Sequence, residues 1–357
     1  MKTLKIGDLS IKVPVIQGGM GIGVSLSGLA SAVANEGGVG VISTAGIGMF
    51  EKDYAKNFIQ ANITGLKNEI SKARKKTQGV LGVNIMVALS NFSDMVKTSI
   101  SEGIDVIFSG AGLPLDLPKY LTEGAKTKLV PIVSSGRAAA LICRKWKEQF
   151  DYLPDAVVVE GPKAGGHLGF KLNQISNPDF SIEKLVVSVK ESISGFVEKY
   201  KQDIPVIAAG GIYTGADINN IMKLGASGVQ MGSRFVTTYE CDASEKFKNT
   251  YIEATPSSME IIKSPVGMPG RAITNVFLDK VSKGEKHPIK CPYKCLKTCD
   301  YTKSPYCIFN ALLNAAKGNM NNGYAFAGAN AYLAEKIVSV KETFNSIMDE
   351  YKTAVKK

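Results

Sequence analysis

Eight short apolar runs rich in valine and isoleucine recur along the chain and alternate with segments of helical periodicity. They fall at residues 13–17, 39–43, 81–86, 106–109, 129–133, 156–159, 205–209 and 228–231. Each is too short for a helix and reads as a strand buried on both faces. Between them, residues 26–35, 54–75, 94–102, 137–150, 182–200 and 216–224 repeat apolar side chains at helical intervals. Strands alternating with helices imply parallel βαβ units. Eight of them predict an α/β fold of the (β/α)8 TIM barrel type rather than an open doubly wound sheet. The open sheet requires a dinucleotide-binding turn after its first strand. Segment 17–23, QGGMGIG, is glycine-rich, but no acidic residue follows at the ribose position.

The barrel rhythm stops after Phe235. Residues 1–238 are therefore read as the barrel, and residues 239–328 as a smaller, mainly helical cap. Residues 329–357 form a tail whose amphipathic stretch, 331–355, packs back as a helix. With 45% apolar and 21% charged residues, the 357-residue chain supports a sizeable core. No run approaches the length of a membrane span, and the first residues lack the apolar centre of a secretion signal, so a cytoplasmic location is expected. The net charge of +11 comes from lysines scattered among acidic residues along helices. Nothing resembles an aromatic-interleaved basic platform, so nucleic acid is not the expected partner; a small molecule is. The oligomeric state stays open.

In such barrels chemistry sits on the loops after the strands' carboxyl ends. The sixth run ends in 160–167, EGPKAGGH, where a glycine loop with Gly165 and Gly166 presents His167. Histidine suits proton transfer near neutrality, so His167 is the candidate catalytic residue. After the first run, Gln17, Gly18, Gly19 and Met20 offer backbone that could lie against a flat ring. Asn84 is a polar residue in an apolar strand and needs partners there. Ser135 follows the fifth run. The turns holding Ala209, Gly210 and Gly211, and Gln230, Met231, Gly232 and Ser233, stand where barrels build phosphate sites from glycine N–H groups. Arg234 offers charge beside them.

The segments at 14–20 (PVIQGGM), 38–43 (GVGVIS), 82–86 (GVNIM), 160–167, 208–212 (AAGGI) and 230–235 (QMGSRF) together resemble the nitronate monooxygenase family, formerly 2-nitropropane dioxygenases. That family includes the FMN-dependent enoyl-acyl-carrier-protein reductase II. Segment 264–273, SPVGMPGRAI, is similar to the same proteins. The resemblance implies non-covalent FMN at the barrel mouth under a cap. It implies that His167 is catalytic, that Gln17 to Met20 and Asn84 stand beside the flavin ring, and that the turns at 210–211 and 232–233 hold its phosphate. Ser134, Ser135 and Gly136 stand where many relatives carry a lysine. Segment 21–25, GIGVS, is less bulky than its counterpart in the reductases and points to the monooxygenase branch. The expected activity is oxidation of alkyl nitronates with O2 to carbonyl compounds and nitrite. The alternative is an enoyl reductase, which adds NAD(P)H as a partner.

Cys291, Cys295, Cys299 and Cys307 form an unusual run in the cap. In a cytosolic chain four such thiols suggest metal or cluster ligation over disulfides, yet the spacing fits neither zinc pairs nor ferredoxin patterns. Reduced thiols without a metal are the expectation. Cys143 and Cys241 are expected as buried apolar residues on helices.

Overall fold

The computed structural model describes residues 1–285, 291 and 293–356; residues 286–290 and 292 of the expected cap lie outside the described residues. Eight parallel strands run in chain order: β1 Val15–Gln17, β2 Gly40–Ser43, β3 Leu81–Met86, β4 Val106–Gly110, β5 Lys128–Val133, β6 Val157–Glu160, β7 Val206–Ala209 and β8 Gly228–Met231. Their order in the sheet is β1-β8-β7-β6-β5-β4-β3-β2. A parallel bridge between Ile16 and Val39 brings β1 against the start of β2 and closes the ring. The strands are those expected from the valine and isoleucine runs, with ends shifted by two residues at most.

Helices follow the strands on the outside, among them Ser27–Asn35, Phe58–Arg74, Phe92–Ser101, Gly136–Phe150, Ile182–Tyr200 and Gly215–Lys223. Several begin where a short polar side chain takes an orphan N–H group. Asn57 accepts from Gln60 N, and Thr214 and Asp217 form a reciprocal capping box. Two cores result. Ile16, Val41, Phe108, Val130, Val158 and Ile207 fill the barrel. A larger core lies between strands and helices, with Leu29, Val83, Trp146 and Val189 fully buried.

An amino-terminal hairpin, Leu4–Ile6 with Leu9–Ile11, was not legible from periodicity. It plugs the barrel's lower end: Leu4, Ile6 and Ile11 join the interior cluster. The expected mainly helical cap region also holds strands. Met259–Lys263 and Pro269–Ile273 pair antiparallel, and Gly166–His167 from the loop after β6 adds a third strand. The expected tail helix over 331–355 is instead Val340–Lys356. Ser339 and Glu342 cap each other's backbone there, while Val338 pairs with Thr238 beyond the barrel's last strand. Asp242, from the cap, accepts from Leu26, Gly28 and Leu29 N and so caps the first barrel helix. Among the described residues no helix is long and apolar enough to cross a membrane.

Candidate active site

A cavity of about 270 Å³ opens at the carboxyl ends of the barrel strands. Its floor is small and polar: Gly18, Gly19, Met20, Asn84, Gly165, Gly166, His167, Ala209, Gly210, Gly211, Gln230, Met231, Gly232 and Ser233 all line it. Its lid is apolar, built from Phe247, Tyr251, Leu296, Ile308, Phe309, Leu312 and Phe326 of the cap. Two expected site residues stand elsewhere. Gln17 is buried behind the floor, where its side chain accepts from Val41 N and donates to Gly18 O. Ser135 caps the helix Gly136–Phe150 through a bond from Ala138 N.

The glycines make the cavity. Gly210 and Gly211 have φ of 91° and 87°, a region L side chains avoid. A Cβ at Gly210 would lie 2.7 Å from Gly161 O, and one at Gly165 would lie 2.6 Å from the carbonyl carbon of Ala327. Asn330 Nδ2 donates to Gly211 O (2.7 Å), and Gly328 N donates to Ser233 Oγ (2.9 Å), fixing both turns. Arg234 does not serve the cavity: its guanidinium bonds Glu350 and Ser346 and lies over the Tyr213 ring. Asn84 and Gln230 have no side-chain hydrogen bond within the described residues, and their amides line the open space.

His167 sits where barrel and cap meet. Its strand is paired to Gly270 and Arg271, and Leu168 N donates to Pro269 O (2.8 Å). Its Nε2 is 2.7 Å from Ser264 Oγ in the turn between the two cap strands. Phe326 packs edge-on at 5.1 Å. Burial holds the imidazole neutral, with its pKa lowered to about 4. Buried Arg271 fastens the same loop, its Nη1 donating to Pro162 O (2.6 Å) and Ala164 O (2.8 Å). Glu160 ends β6 in the cavity wall, and burial alone raises its carboxyl to about 7. Sequence reading missed Glu160, although its place at a strand's carboxyl end was a usable signal. Ser264 and Arg271 had only the resemblance of segment 264–273 to point to them.

Two of the four cap thiols flank the lid. Cys295 precedes Leu296, and Cys307 precedes Ile308. All are free, and among the described residues no three His, Cys, Asp or Glu side chains form a metal-holding group. Cys143 is buried in its helix. Cys241 is buried too, but in a loop rather than a helix, with its thiol donating to Val24 O.

The chain is similar to a solved structure and to curated relatives. The structure of FabK from Thermotoga maritima superposes with a TM-score of 0.74 at 29% identity, over 97% of this chain and 94% of that one. A probable nitronate monooxygenase of Staphylococcus aureus (strain Newman) is 29% identical over 315 residues, 78% of this chain and 79% of the relative. The (3aS,4S,5R,7aS)-5-hydroxy-7a-methyl-1-oxo-octahydro-1H-indene-4-carboxyl-CoA dehydrogenase of Mycobacterium tuberculosis (strain ATCC 25618 / H37Rv) is 28% identical over 278 residues, 78% of this chain and 68% of the relative. Residues 2–350 match the family model described as nitronate monooxygenase, and the chain, an oxidoreductase by descent, belongs to that family.

Proposed function

We propose that the protein is an FMN-dependent nitronate monooxygenase, oxidising alkyl nitronates with O2 to carbonyl compounds and nitrite. The observation that carries this reading is His167: one half-buried, uncharged histidine bonded to Ser264, set over a cavity with a glycine floor and an apolar lid. The donor set fits FMN. Bare backbone at Gly18 and Gly19 suits a flat ring, and the free amides of Asn84 and Gln230 suit its polar edge. N–H groups of the turns at 210–211 and 232–233 suit a phosphate. FMN bound there supplies two-electron redox chemistry.

The chain's own residues supply the rest. A neutral imidazole can take a proton from a nitroalkane or hydrogen-bond the nitro oxygens of a nitronate. Ser264 holds the ring in place and offers a hydroxyl through which that proton can be shared. The lid keeps water from the reacting atoms, which strengthens every polar contact inside. A second reading, NAD(P)H-dependent enoyl-acyl-carrier-protein reduction, is favoured by the apolar lid and by the full-length likeness to FabK. Anaerobic mixing separates the two. Bleaching of the bound flavin by a nitronate and not by NADH or NADPH supports the monooxygenase. Rapid bleaching by a reduced nicotinamide overturns it in favour of the reductase.

A further inference from the structure

Among the described residues that line the cavity, Lys163 is the one lysine or arginine. Arg234, the other cation of the phosphate-type turns, is committed to Glu350 and Ser346. Lys163 forms no ion pair with a described carboxylate. Its main chain is fixed, since Lys163 O accepts from Ala329 N (3.0 Å). Its stem crosses Gly211: a Cβ built there would lie 2.8 Å from Lys163 Cβ and 3.0 Å from its Cδ. The side chain is thus laid along the glycine turn whose carbonyl Asn330 holds, on an exposed residue of the cavity lining.

A phosphate monoester carries close to two negative charges at neutral pH, and backbone N–H dipoles alone leave that charge poorly balanced. We propose that Lys163 is the cation that balances the phosphate of the bound flavin, so that this cavity selects the phosphorylated flavin over the unphosphorylated one. The proposal rests on the FMN reading and goes one step past it. Lys163 acts as a point charge on a flexible stem and needs no fixed fork geometry.

The experiment titrates flavin-free protein with FMN and with riboflavin, following quenching of flavin fluorescence in wild type, Lys163→Met and Lys163→Arg. Lys163 is exposed, so neither variant endangers the fold. Lys163→Met should bind FMN about ten- to a hundredfold more weakly, the scale of a charge-assisted contact, with riboflavin binding unchanged. Lys163→Arg should keep most of the FMN affinity. Added salt should weaken FMN binding less in the methionine variant than in wild type. Equal losses for both flavins, or no loss for either, overturn the proposal while leaving the flavin site in place. Wild-type protein that binds neither flavin overturns the FMN reading itself.

Discussion

His167 Nε2 and Ser264 Oγ meet at 2.7 Å although 97 residues separate them in sequence. The histidine comes from the loop after β6, the serine from the turn joining two cap strands. Removing the hydroxyl leaves the imidazole in place but unanchored. Ser264→Ala should lower kcat/KM on neutral nitroalkanes by about tenfold, the upper range of one hydrogen bond. Preformed nitronates, which have already lost the proton, should suffer less. Steady-state kinetics on both substrate forms, with flavin content checked spectroscopically, decides this; equal losses on the two forms would remove the proton-sharing role.

His167 also makes an acid-stability prediction. Its folded pKa, about 4, lies below the ordinary 6.5 because burial penalises the cation. As pH falls from 6.5 to 4 the unfolded chain takes up this proton first, so stability falls, by about 3 kcal/mol at the limit. Melting of the flavin-free protein between pH 7.5 and 4.5 should show His167→Asn gaining on wild type as pH drops. Parallel curves would mean that the ring titrates normally.

Glu160 works with the opposite sign. Its carboxyl is raised to about 7, so ionisation is resisted in the fold and stability falls as pH rises from 4.5 to 7. Glu160→Gln should stabilise the flavin-free protein at pH 8 and much less at pH 5. The pH profile of kcat/KM should carry a titration near 7 that the glutamine variant loses. A profile identical in both proteins would assign that titration to another group.

Gly210 has φ of 91°, and its missing Cβ keeps the turn clear of Gly161 O. Gly210→Ala adds left-handed strain of about 1–2 kcal/mol and a backbone clash that no rotamer relieves. Flavin affinity should drop by at least tenfold, measured by equilibrium dialysis. Affinity within twofold of wild type would place the phosphate away from this turn.

The six thiols should divide by depth. Burial pushes Cys143, Cys241 and Cys295 up to about 12, and thiols held that high react slowly. Cys291, Cys299 and Cys307 are only half-buried. Burial raises the Cys307 thiol as well, so an aromatic disulfide reagent should titrate Cys291 and Cys299 quickly in native protein, Cys307 more slowly, and six thiols after denaturation. Metal content above background in the purified protein, with thiols that react quickly only after a zinc chelator is added, would reveal ligation that the described arrangement does not show.

The barrel was legible because its signal is local. Runs such as 156–159 and 205–209 are β-branched and bounded by turn residues, and a strand buried on both faces needs no further instruction. The floor of the cavity was legible for a related reason, since glycines at strand ends announce close approach of backbone. What escaped depends on contacts far apart in the chain. Gln17 reads as a pocket residue until β2 is placed beside it, and then its amide turns back to Val41. Ser135 looks like a ligand residue but has the position and partner of a helix cap. The start of the last helix was missed because residues 331–339 keep some apolar periodicity. Only the Ser339–Glu342 capping box shows where the turn begins.

The third strand of the cap sheet has a consequence for access. Backbone pairing registers His167 to Gly270, and Arg271 reaches across the same hairpin to hold the loop that presents the ring. The histidine therefore belongs to the lid as much as to the barrel. Lifting the hairpin to admit or release a molecule removes the ring's anchor in the same motion. Amide exchange at Leu168, whose N–H is bonded to Pro269 O, should then report the free energy of opening the door and not the stability of the room behind it.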